Sequence, residues 1–112
     1  MANWREITTV DQWKDVLDSS AQKPVLLFKH STTCPVSANG LREYEDYLSK
    51  DNEGVDYVLV KVIESRPVSN QIAEDMKVKH ESPQVMLIKN KFPEWNASHW
   101  SITNEHISAV LD

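Results

Sequence analysis

One run in the chain, Pro24 to His30 (PVLLFKH), is apolar almost throughout and of strand length. A strand that is apolar on both sides must be covered on both sides. A second run, Val55 to Glu64 (VDYVLVKVIE), carries β-branched residues around Val58, Val60 and Val62, which marks another strand. A third, SPQVMLIKN, gives a strand beginning just after Pro83. Between these runs apolar residues recur at helical spacing. Strands alternating with amphipathic helices make an α/β sheet.

The helices can be placed from their punctuation. Thr9 reads as an N-cap with Gln12 at the third helical position, the spacing of a capping box. Val10, Trp13, Val16 and Leu17 follow on one face, and "WREI" before them reads as a short strand. From Pro35, the residues Val36, Gly40, Leu41, Tyr44 and Leu48 mark a second helix face, with Arg42, Glu43, Glu45 and Asp46 turned away. Gly40 in mid-helix costs about 1 kcal/mol against alanine, which implies close approach to the sheet. Asn39-Gly40 as a turn is the competing reading, but the apolar spacing runs through it unbroken.

Ser65-Arg66-Pro67 opens a third helix, with Val68, Ile72, Ala73 and Met76 on its buried side. "EWNASHWSI" reads as a strand and "TNEHISAVL" as a closing helix capped by Thr103. The expected order is β-α-β-α-β-α-β-β-α. Strands separated by helices are expected to be parallel, and the last two to form an antiparallel hairpin across Asn90 to Glu94. The sheet is therefore of mixed direction.

A chain of 112 residues is expected to form one domain, residues 1–112. Its formal net charge of −5 comes without any large Lys/Arg cluster. That argues against a nucleic-acid or anionic-membrane partner. No leader or membrane-spanning run is visible, so the expected compartment is the cytoplasm, where the acceptor pattern at Asn96 to Ser98 has no meaning. One cysteine cannot form an internal disulfide. The four histidines, His30, His80, His99 and His106, have no metal-ligand spacing and read mostly as surface residues. Trp95 and Trp100 read as core rather than as stacking platforms.

Chemistry concentrates at "HSTTCPVS". Pro35 disfavours helical backbone for the residue before it, which makes Cys34 the N-cap of the second helix. Unpaired amide hydrogens of the first turn point at whatever the N-cap presents. A thiolate suits that partly positive place, so Cys34 reads as a nucleophile. It follows the carboxyl end of a buried strand, where open α/β sheets bind ligands. If the bond before Pro83 is cis, the Ser82 backbone is placed to sit beside the sulfur and pair with an extended substrate. His30 as general base of a Cys-His hydrolase lacks a third, orienting residue.

"TCPVS" resembles a glutaredoxin active site with serine replacing the second cysteine. "KHSTTCPVS", "ESRPVSNQIA", "VKHESPQ" and "ASHWSIT" together resemble the monothiol bacilliredoxins of the bacillithiol system. The resemblance implies a thioredoxin-like fold and Cys34 as the catalytic thiol, exchanging with mixed disulfides between client proteins and bacillithiol. It implies no tightly bound cofactor, bacillithiol as co-substrate, and a monomer. Thr33, Pro35, Val36, Ser37, Ser82 and Pro83 match the positions that would stabilise the thiolate or bind substrate.

Ser37 stands where a resolving cysteine would stand, so an external thiol must finish the cycle. Its hydroxyl either donates to the sulfur or is merely solvated. Thr32 and Thr33 shape the ligand site or satisfy loop amides, with the second reading preferred. The family's hairpins often carry glycine near the final strands, whereas "KNKFPEWN" has none. The alternative function is a non-enzymatic binding or iron-sulfur carrier module that uses Cys34 as a ligand.

Overall fold

The computed structural model describes residues 4–48 and 54–111, and of Leu48 it describes the backbone alone. The expected place of the Leu48 side chain on the buried helix face thus lies outside the described residues. The elements are β1 (Arg5–Glu6), α1 (Val10–Ser19), β2 (Val25–His30), α2 (Pro35–Leu48), β3 (Asp56–Lys61), α3 (Arg66–Met76), β4 (Gln84–Lys89), β5 (Phe92–Ser98), a 3-10 turn (His99–Ser101) and α4 (Asn104–Leu111). They form a five-stranded sheet in the order β1-β3-β2-β4-β5.

Local signals place the helices where the sequence puts them. Thr9 caps α1 with both halves of the capping box present. The Thr103 hydroxyl accepts from His106 N at 3.1 Å and so caps α4. In α2, Gly40 is a packing requirement: a Cβ there would stand 3.3 Å from Phe28 Cζ. The helix accepts the poor propensity of glycine in order to lie close on β2.

β2 is buried at every position, as its composition demands. Trp13, Val25, Leu27, Val58, Val60, Ile72 and Met86 pack on the face covered by α1 and α3. Leu26, Phe28, Tyr44, Tyr47, Tyr57, Leu59 and Leu87 pack on the face covered by α2 and α4.

Several boundaries differ from expectation. β4 follows a helix, yet it is antiparallel to β2, with Lys29 opposite Gln84 and Val25 opposite Ile88. Lys77 ends α3 at φ 56, and residues 77 to 83 follow before β4 begins. At up to about 3.5 Å per residue that link can run back along the whole 11-residue helix, about 16 Å at 1.5 Å per residue. The chain therefore enters β4 beside the carboxyl end of β2.

β3 stops at Lys61, and Val62 to Ser65 form a turn. In α3 the buried set includes Ser69, while Ala73 is only half-buried. β5 ends at Ser98, where His99 at φ 55 breaks the extended backbone and starts the 3-10 turn. Trp95 packs on the core, but Trp100 in that turn is 67% exposed.

The β4–β5 hairpin turns at Asn90 (φ 51) and Lys91 (φ 63), the left-handed pair that a tight two-residue hairpin needs. No glycine is required because Ser20 holds the turn. Its carbonyl accepts from Asn90 N at 2.7 Å, and its hydroxyl accepts from Lys91 N at 2.9 Å.

Candidate active site

Cys34 lies between β2 and α2 and is half-buried as a free thiol. Its N–H donates to Ser31 O at 3.2 Å, and its carbonyl accepts from Ala38 N at 3.0 Å. It therefore holds the N-cap position that Pro35 predicts. Pro35 is exposed and Val36 half-buried.

Ser37 is fully buried, so it is not a solvated helix residue. Its Oγ accepts from Ser31 N at 2.9 Å and lies 2.8 Å from His30 Nδ1. Burial, then the Lys61 charge, holds the His30 imidazole below its ordinary value against weaker opposition from Glu64 and Glu45. Both contacts engage the hydroxyl oxygen and tie Ser37 to the loop. Ser37 is a strut that closes residues 30–34 into a fixed turn. Because Nδ1 of His30 is occupied by that strut, the geometry gives no support to a Cys-His base pair.

Thr32 and Thr33 are both exposed. Thr32 Oγ1 donates to Glu64 Oε2 at 3.3 Å, tying the loop to the turn after β3 rather than satisfying a loop amide. The Ser82–Pro83 bond is cis. Lys29 pairs with Gln84, and Gln84 with Ser98, so Ser82 and Pro83 sit at the end of the sheet from which the chain leaves for Cys34. His99 N donates to Pro83 O at 3.0 Å, fixing that loop on its other side. Ser82 Oγ is buried without a partner.

A polar cluster beside this loop is absent from the sequence reading. Lys29 is fully buried, and its Nζ donates to Ser69 O at 3.1 Å and lies 3.2 Å from His80 Nδ1. Desolvation lowers the Lys29 ammonium to about 8. His80 is held below its ordinary value by burial first and by the Lys29 and Arg66 charges, with Glu81 opposing. Gln84, 1% exposed, gives its amide to Lys79 O at 3.1 Å and leaves Oε1 unpartnered. The available signal was the one cation inside "PVLLFKH". Of the four histidines, His30 is thus buried and His80 half-buried, while His99 and His106 are exposed.

This geometry — a thiol at a helix start after a central strand, with a cis-proline loop at the same end of the sheet — has counterparts among known proteins. Residues 5–107 match the model of the monothiol bacilliredoxin BrxC family. The chain belongs to that family. One solved structure, described as a candidate oxidoreductase with a thioredoxin fold, is 31% identical, with TM-score 0.85 over 96% of this chain and 92% of that one. The thioredoxin of Fasciola hepatica is 14% identical, with TM-score 0.75 over 96% of this chain and 95% of its own. The thioredoxin of Malassezia sympodialis is 17% identical, with TM-score 0.77 over 98% and 89%. The last two show the fold alone.

The fold is thus the thioredoxin fold, and membership of a bacilliredoxin family supports a thiol redox role. Among the described residues no helix is long and apolar enough to cross a membrane.

Proposed function

We propose that this bacilliredoxin removes bacillithiol from protein mixed disulfides by monothiol exchange through Cys34. The observation that carries the reading is a single thiol, half-exposed at a helix N-cap, with a buried serine three residues on. The Cys34 thiolate attacks the bacillithiol sulfur of the mixed disulfide. That S–S bond breaks, the client leaves as its thiolate, and a Cys34–bacillithiol disulfide forms. No second thiol exists in the chain to expel the adduct. A second bacillithiol thiolate attacks the bound one, giving bacillithiol disulfide and free Cys34.

In this reading the first-turn amides behind Pro35 and Val36 stabilise the thiolate. Ser37 fixes the loop that presents it, and Thr33 borders it. The Ser82–Pro83 backbone lines the path of the client chain. Mass spectrometry of a bacillithiolated client tests the proposal. Wild-type protein with excess bacillithiol removes the adduct mass, whereas Cys34→Ser leaves it in place. Retention of the adduct with wild-type protein defeats the proposal.

A further inference from the structure

Lys29 and His30 are neighbours on β2, and successive strand residues point to opposite faces of a sheet. His30 meets the thiol loop through Ser37. Lys29 meets the other loop at this end of the sheet, residues 77–83, which runs into Ser82 and Pro83. The fully buried Lys29 Nζ lies 3.2 Å from His80 Nδ1 and donates to Ser69 O at 3.1 Å. Ser69 Oγ stands 3.3 Å from the same Nδ1. Two adjacent residues of one strand thus hold the two loops of the candidate site.

The second loop is held by few polar contacts. Gln84 Nε2 donates to Lys79 O at 3.1 Å, but Gln84 Oε1 and Ser82 Oγ are buried without partners. From the far side, His99 N holds Pro83 O. The Lys29 contact adds a charge, and it requires a neutral His80, whose Nδ1 then offers a lone pair to the ammonium. A proton on Nδ1 removes the acceptor and sets two cations 3.2 Å apart. Arg66 of α3 adds to that repulsion, and Glu81 of the loop itself opposes it while also facing Lys79 and His99. His80 is half-buried, so solvent protons reach it.

We propose that Lys29 and His80 form an acid-sensitive latch on the loop that lines the client's path, a reading that rests on the exchange reaction above. With His80 neutral, the loop is held against β2 and α3, and the client chain meets a formed edge. With His80 protonated, the loop is released and clients bind weakly. Burial and the neighbouring cations keep His80 below its ordinary value of 6.5, so release falls on the acid side of that pH. Above pH 8 the Lys29 amine still has hydrogens to donate, and the contact survives. Both are positioning residues, acting on the client through the loop backbone.

The test uses the full chain and a reporter protein carrying bacillithiol in mixed disulfide, from about pH 7.5 down to about pH 5.5. Iodoacetamide alkylation of Cys34 at each pH gives the thiolate fraction, which is divided out. Wild-type KM then rises about tenfold on acidification, the loss of one charge-assisted hydrogen bond, while corrected kcat stays within about twofold. Lys29→Met shows the raised KM already at neutral pH, with no further rise. His80→Asn keeps an acceptor oxygen near the Nδ1 position but takes up no proton, so its KM stays low throughout. A flat wild-type KM, a wild-type KM in Lys29→Met at neutral pH, or an acid rise preserved in His80→Asn overturns the latch. A second measurement needs no turnover: the hydrogen-exchange protection factor of the His99 N–H, bonded to Pro83 O, falls about tenfold over the same range in wild type and holds in His80→Asn. Constant protection in wild type also overturns the latch. An inert protein whose His99 protection still falls with acid defeats the exchange reaction and keeps the latch; an active one with constant KM and protection does the reverse.

Discussion

The two faces of the sheet hold different materials. Under α2 and α4 the packing is aromatic, with Phe28 and Tyr44 ring centroids 5.2 Å apart and Tyr57 edge-on to Tyr44 at 6.2 Å. Under α1 and α3 it is aliphatic apart from Trp13, and the end nearest the cis-proline loop contains Lys29, Ser69, His80 and Gln84. The first face presses the helix headed by Cys34 against β2, with Gly40 seated on the Phe28 ring. The second keeps titratable groups where burial is costly. One face seats the helix that carries the thiol, and the other holds titratable groups beside the cis-proline loop.

The comparison breaks most readily at Phe28. Phe28→Ala removes the ring against which Gly40 packs and costs about 3–5 kcal/mol, read by urea denaturation. Exchange by the folded variant slows because α2 loses its seat. Ile72→Ala on the other face costs about 2–5 kcal/mol and leaves exchange unchanged. Equal kinetic effects from the two would erase the distinction between the faces.

Lys29 sharpens it next. With its folded value lowered from 10.5 to about 8, the unfolded chain binds the extra proton between those limits. Stability therefore rises with pH across that window, by on the order of 3 kcal/mol at most. Lys29→Met flattens the rise. Tyr44, raised well above 10 by burial, acts with the opposite sign: its contribution is present below pH 10 and is lost as pH climbs past it. His30 and His80, both lowered, make stability fall as pH drops below about 6.5. Denaturant midpoints from pH 5 to 10.5, wild type beside Lys29→Met, separate these contributions.

Ser37→Ala leaves Ser31 N and His30 Nδ1 without their shared partner and costs about 1–3 kcal/mol. Exchange slows modestly, since the hydroxyl holds the loop that presents the thiol. Loss of exchange as complete as in Cys34→Ser would assign Ser37 a direct part in the chemistry. The smallest effect is at Tyr44→Phe. Its hydroxyl donates to Leu26 O at 2.9 Å, with Val58 O at 3.3 Å, and losing it costs about 1 kcal/mol on the aromatic face alone.

The sequence by itself determined the element order, the caps at Thr9 and Thr103, the burial of β2 and the place of Cys34 before Pro35. Each follows from local rules: side-chain period, backbone restriction by proline, and capping within four residues. Only tertiary structure decided the rest. The direction of β4 depends on a seven-residue return past α3, and the glycine-free hairpin depends on Ser20, some 70 positions away. Burial of Lys29 beside His80 and the commitment of Ser37 to His30 join residues that no local window pairs. A polar side chain's role is set by the partner it meets, and that partner is chosen by the fold.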